Sequence, residues 1–218
     1  DCTALASFTM PDSVTTLDTY VFYGCTALEQ IKLSENLTSI PNYTFQNCDA
    51  LTSVEIPDSV IAIGSNVFYD CDALISVTMG DNVTSMGTYV FYHNDALVSV
   101  DLSMRLPKIP ANTFQNCAKL AEITIPYYAT AIDANAFHSS PKLAKVVTRS
   151  NLTSIAANAF SYPGVTVFYG DAGSYTETWA RNNGYRFTAN AVPATEVTLS
   201  QAAITLAKGK TAILGVTV

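Results

Sequence analysis

Hydrophobic positions recur along this chain every 23 residues, and seven such blocks tile residues 2–162 without a gap. Leu holds the fourth place of every block (Leu5, Leu28, Leu51, Leu74, Leu97, Leu120, Leu143). Phe holds the twenty-first (Phe22, Phe45, Phe68, Phe91, Phe114, Phe137, Phe160). Two further apolar columns lie between them. One is Phe8, Ile31, Val54, Val77, Val100, Ile123, Val146, and the other Leu17, Ile40, Ile63, Met86, Ile109, Ile132, Ile155. A period of this size marks a repeat architecture whose single units cannot bury their apolar side alone.

Within a block, Leu51-x-x-Val54-x-Ile56 alternates inward and outward, which predicts a short strand. Pro57 closes it, as Pro11 and Pro126 do in their blocks and Gly80 in another, because proline cannot continue a ladder. Val60 and Ile63 form a second inward pair. The segment ending at Phe68 returns across the opposite face and is too short for a long helix. Each block is therefore one turn of a coil, and turns stacked at about 5 Å, the inter-strand spacing, build one continuous core. The predicted fold class is a repeat solenoid, mostly β, with short helical or irregular return segments and a helical cap at its C-terminal end.

The run L-x-x-V-x-I-P followed by a returning A/N-x-x-F-x-x-C resembles a leucine-rich repeat. In its 23-residue form it is similar to the BspA-like family of bacterial surface proteins, over about three quarters of the chain. The resemblance implies a right-handed leucine-rich coil, secretion or display at the cell surface, and adhesion to host proteins, matrix or other cells. Its implied partner is a protein or glycan on host or neighbouring cells.

Composition supports a packed core, with 49% apolar and 13% charged residues. No apolar run of about 18 residues is present, so no membrane insertion is expected. Neither does the N-terminus show the charged and apolar regions of a signal peptide. A net charge of −7 argues against nucleic acid, which rewards basic stripes. That charge is uneven: residues 1–93 hold eleven acids and one base (Lys32), whereas residues 94–162 hold four acids and six bases.

Cys2, Cys25, Cys48, Cys71 and Cys117 occupy the first place of their blocks, with Asn94, Ser140 and Pro163 in the equivalent place elsewhere. The expected state is a ladder of buried, reduced thiols serving the turn backbone. Neighbour disulfides are the rival, since the spacing fits, but ladder side chains run parallel and the count is odd. Zinc is weaker still, because ligands along a line do not converge on a tetrahedron.

The period breaks after Tyr162. VTVFYG (165–170) reads as a last rung, so residues 163–187 comprise the last strand and a capping helix. Ser174 and Glu177 have capping-box spacing, and Gly184 is the C′ stop. Tyr175 and Trp179, on one helical face, would cover the open end of the core. Residues 188–195 read as a linker. Residues 196–218 resemble the opening of a bacterial immunoglobulin-like domain, yet a sandwich takes about 100 residues. They belong to something longer or pair with something else.

Catalytic signatures are absent, and no enzymatic activity, cofactor or metal is expected. His93 and His138 have no partner set by spacing, and KGKT (208–211) lacks the glycine a phosphate loop needs at Ile204. The sequons at Asn36, Asn42, Asn82 and Asn151 read as turn chemistry. Three surface features suggest binding. The outward strand face carries Gln30, Lys32, Ser53, Glu55, Ser76, Thr78, Ser99, Asp101, Glu122, Thr124 and Lys145. Tyrosines gather on the return side (Tyr20, Tyr23, Tyr43, Tyr69, Tyr89, Tyr92), either as an interface or as cover for the Phe column. Asp12, Glu35, Asp58 and Asp81 form an acidic turn column, which reads as screened, solvated turns or as a set of calcium-type oxygen ligands. The function that follows is a non-catalytic binding module, with a structural spacer or the accessory part of a larger secreted enzyme as alternatives.

Overall fold

The computed structural model describes residues 2–149 and 151–190, and beyond them the strands Thr198–Leu199 and Val216–Thr217, which pair antiparallel. The segment resembling an immunoglobulin-like opening otherwise lies outside the described residues. Each block folds into one turn of a solenoid. Its first strand (Ser7–Thr9, Gln30–Lys32, Ser53–Ile56, Ser76–Met79, Ser99–Asp101, Glu122–Thr124, Lys145–Val147) lies parallel to its neighbours. Register advances by one whole block per rung, as in Ser53↔Ser76↔Ser99 and Glu122↔Lys145. A second column of two-residue strands, from Ser39–Ile40 to Ser154–Ile155, repeats the same parallel pairing.

Identical spacing forces identical residues into contact. The seven phenylalanines form one stack of nearly parallel rings, with centroids 4.9–5.5 Å apart along the column. The return segments are tight turns rather than helices. The first six each take two left-handed residues, one at the place of Tyr20, Tyr43, Asn66, Tyr89, Asn112 and Asn135, the other at that of Gly24, Asn47, Asp70, His93, Asn116 and Ser139. Turns also bond from rung to rung: Phe68 N donates to Val90 O at 2.9 Å and Phe91 N to Thr113 O at 2.9 Å.

All five cysteines are free thiols. Cys48, Cys71 and Cys117 donate through Sγ to the carbonyls of Phe22, Phe45 and Phe91 at 3.0–3.1 Å. Asn94 Nδ2 and Ser140 Oγ make the same bond to Phe68 and Phe114, at 2.8 and 2.7 Å. The first place of a block thus satisfies a carbonyl that the turn below leaves open, and any small donor fits. Cys2, on the first rung, is exposed, contrary to the expected ladder of buried thiols. Burial pushes the Cys48 and Cys117 thiols up to about 12 and raises the Cys71 thiol well above its usual range.

The C-terminal end is more elaborate than expected. Val167–Gly170 adds a rung, the helix Tyr175–Asn182 crosses over, and Arg186–Ala189 adds another parallel rung. The extended chain therefore runs through Ala189, past the boundary assigned to the linker. Ser174 Oγ accepts from Glu177 N, and Glu177 Oε2 accepts from Gly173 N at 2.8 Å. The Gly173 and Arg181 bonds hold the Glu177 carboxyl below its usual range. Trp179 covers Phe160 and Phe168, at 6.0 and 5.7 Å. Its partner is Tyr185, stacked at 5.5 Å, and not Tyr175, which is 40% exposed at the rim. The helix turns Thr176, Trp179 and Ala180 inward, so the buried face is offset by one residue.

Candidate binding face

Alternation along each strand sends one side chain to the core and the next to solvent. Val54 and Ile56 are buried while Ser53 and Glu55 are exposed, and Ile123 is buried between exposed Glu122 and Thr124. Constant register stacks the outward residues into two columns. One follows Ser53, Ser76 and Ser99. The other follows Glu55, Thr78 and Asp101, and further on Thr124, Val147, Tyr169 and Thr188.

All eleven residues expected on this face line one of two grooves. Gln30, Lys32, Ser53 and Glu55 border a groove of about 660 Å³. Ser76, Ser99, Glu122, Thr124 and Lys145 border a second of about 220 Å³. Thr78 and Asp101 belong to both, so the grooves adjoin. The first is strongly acidic: Glu35, Glu55, Asp58, Asp81 and Asp101 face only Lys32. The second is nearer balance, with Lys145 Nζ placed 3.1 Å from Glu122 Oε2.

Two contributions to this face escaped the sequence reading. The acidic turn column is not a separate feature, since Glu35, Asp58 and Asp81 line the same groove as the strand residues. Tyr169 places an aromatic ring in the outward column, where the periodic face had almost none. Its signal was the alternation within the rung read at 165–170, where Phe168 is buried and Tyr169 is not.

Other candidates resolve into local structure. Asp58 Oδ1 accepts from Asp81 N at 2.8 Å and Asp12 Oδ1 from Glu35 N at 3.3 Å, so half of the acidic column holds the next turn. Among the described residues, no three His, Cys, Asp or Glu side chains are grouped to hold a metal ion. Asn36 and Asn82 donate to the carbonyls of Asp12 and Asp58 at 2.9 Å, and Asn151 donates to Tyr127 O. Asn42 Oδ1 accepts from Ser65 N at 2.7 Å. His93 Nδ1 bonds Asp70, and His138 Nδ1 lies 2.9 Å from its chain neighbour Ser139 Oγ. The tyrosines form two stacked pairs, Tyr20–Tyr43 at 4.7 Å and Tyr69–Tyr92 at 4.8 Å. KGKT lies outside the described residues.

Parallel rungs, a Leu and Phe core and a donor at the first place of each turn define a leucine-rich-repeat solenoid. The chain belongs to the BspA-type leucine-rich repeat family, whose model matches in six copies over residues 1–54 and 38–166. Its fold is similar to that of a leucine-rich repeat protein from Bacteroides ovatus ATCC 8483, with a TM-score of 0.70 at 23% identity. That likeness covers 86% of this chain and 52% of the other, so this chain spans about half the length of that protein. The leucine-rich repeat protein of T. pallidum gives a TM-score of 0.53 at 22% identity, covering 87% of this chain and 76% of that one. One from Eubacterium ventriosum ATCC 27560 gives 0.51 at 25% identity, covering 62% and 42%. No curated protein matches the sequence.

Proposed function

We propose that this chain is the binding module of a secreted or surface-displayed bacterial protein, and that it engages protein partners through the outward strand face without catalysis. The observation that carries this reading is the pair of adjoining grooves lined by all eleven outward strand residues. A broad polar face at regular spacing suits multivalent contact, with each rung adding a similar row of groups. The neighbouring acidic turn column gives the first groove a negative potential that favours partners with basic patches. Family membership in the BspA-type repeats supports the same reading.

The test is binding of the full chain to immobilised matrix proteins, plasma proteins and glycans, beside a variant carrying Gln30→Ala, Lys32→Ala, Glu55→Ala and Asp101→Ala. All four positions are exposed, so the variant keeps the core. Saturable binding lost in the variant places the site on the strands. Binding that survives moves it elsewhere, and no binding at all favours the spacer.

A further inference from the structure

The tyrosines at the left-handed place of the return turns are not required by the fold, whereas the Tyr92 hydroxyl accepts from Asn116 Nδ2 at 3.2 Å. Tyr20, Tyr43 and Tyr89 sit at φ 63°, 61° and 59°, the left-handed region, where the same place in other blocks holds Asn66, Asn112 and Asn135. Asparagine tolerates that conformation and bulky side chains do not. Nor do the rings shield the Phe column. Phe114 and Phe137 are at most 1% exposed although their blocks carry no tyrosine at either of these turn places. Stacking of Tyr20 on Tyr43, with ring centroids 4.7 Å apart, offsets part of the strain. The asparagine solution has its own ladder, with Asn135 Nδ2 donating to Asn112 Oδ1 at 3.2 Å. Asparagine therefore meets the needs of this turn place without tyrosine.

What tyrosine does supply is an amphipathic surface, and it is joined to carboxylates that no Lys or Arg offsets, with His93 bonded to one of them, Asp70. A groove of about 480 Å³ on this edge is lined by Tyr23, Asp49, Asp70, Asp72 and His93, among others. Tyr23 contacts Tyr20 at 5.6 Å, and His93 contacts Tyr92 at 6.1 Å, so rings and carboxylates form one continuous surface. Partial burial, and then the charges of Asp72 and Asp70, raise the Asp49 carboxyl above its usual range. The one Lys or Arg of residues 1–93 is Lys32, which lies on the strand face instead.

We propose that this return edge is a second docking surface, independent of the strand face, and that it takes an extended lysine- and arginine-rich segment of a partner protein. The cationic heads meet the carboxylates presented rung by rung, and the aliphatic stems lie across the phenol rings. The occupant is set by charge complementarity.

The experiment titrates the full chain into a fluorescein-labelled peptide of alternating Arg and Ser, read by anisotropy at about 0.15 M salt, where exposed charges are largely screened beyond ~8 Å. One variant combines Tyr20→Asn, Tyr43→Asn and Tyr89→Asn with Tyr69→Gln and Tyr92→Gln. It changes no charge and installs residues that other blocks already carry at these places. Another combines Asp49→Asn with Asp72→Asn, and the strand-face variant serves as the third. We expect saturable binding that weakens about ten-fold or more in each of the first two variants and is unchanged in the third. Equal binding by the tyrosine variant would reduce the effect to charge alone and overturn the proposal. So would absence of binding, or loss confined to the strand-face variant. The last result would leave the strand-face reading standing while removing this one.

Discussion

Blocks one to four and blocks five to seven share one core and present different edges. Their Phe rings stack at similar distances, 5.4–5.5 Å in the first group and 4.9–5.2 Å in the second. Outside the core they diverge. The first group carries acids at the strand-closing turn, and the second has exposed Met104 and Tyr127 there. Stacking explains the contrast. A residue that touches its own equivalent above and below must match it in size, whereas one that faces water is free to vary. Differences between the halves are therefore confined to residues that face water.

The shared core predicts the largest effect. Phe68→Ala and Phe114→Ala each remove a fully buried ring held between two others. Each costs about 3–5 kcal/mol in urea unfolding. The two losses agree to within about 1 kcal/mol; a much smaller loss at Phe68 would show that the tyrosines do carry part of the core. Thiols come next. Burial disfavours the thiolate of the folded chain, so stability from Cys117 is complete below pH 9.0 and drains between 9.0 and about 12 as the unfolded chain ionises. The full window is worth up to about 4 kcal/mol for this thiol. Cys117→Ser, which copies the bond made by Ser140, removes that part of the alkaline slope and leaves neutral stability close to unchanged. Mass-spectrometric labelling at neutral pH marks exposed Cys2 rapidly and the four buried thiols only on unfolding.

The core was legible because columns of one residue type, repeated seven times, allow only stacked turns. The outward strand residues followed from the same alternation. The left-handed turn residues were not seen, since the sign of φ leaves no trace in an apolar pattern. Recurring asparagine at the place of Asn66, Asn112 and Asn135 was the signal to read. Arg186–Ala189 was missed for a different reason: its rung is reached through a helix, and the period that marked the others had ended. Trp179 was correctly read as cover because an end rung needs one, but its partner Tyr185 sits beyond the helix stop, where helical spacing gives no guidance.

Exchanging residues between the halves yields an asymmetric, smaller effect. Asn135→Tyr forces a ring into the left-handed region and breaks the bonds to Asn112 and from Asn158. It costs about 1–3 kcal/mol. Tyr43→Asn relieves strain of that kind but gives up the stack with Tyr20, so its net change stays within about 1 kcal/mol. Both are read from the midpoint of urea unfolding. A large loss at Tyr43 would mean that the tyrosines stabilise the solenoid after all.

The smallest effect concerns the one strand-face ion pair among the described residues, Lys145–Glu122, whose side chains are 48% and 64% exposed. Solvent screens such a pair, so Lys145→Ala, Glu122→Ala and the double variant each move stability by less than about 1 kcal/mol, and the double-mutant coupling is smaller still. The pair matters for charge rather than for holding the rungs together. Lys145→Ala leaves Asp101 and Glu122 unopposed and makes the second groove acidic, as the first already is. A basic partner of the strand face then binds Lys145→Ala at least as tightly as the parent, with a steeper salt dependence. Weaker binding at unchanged stability would instead make Lys145 a contact in its own right.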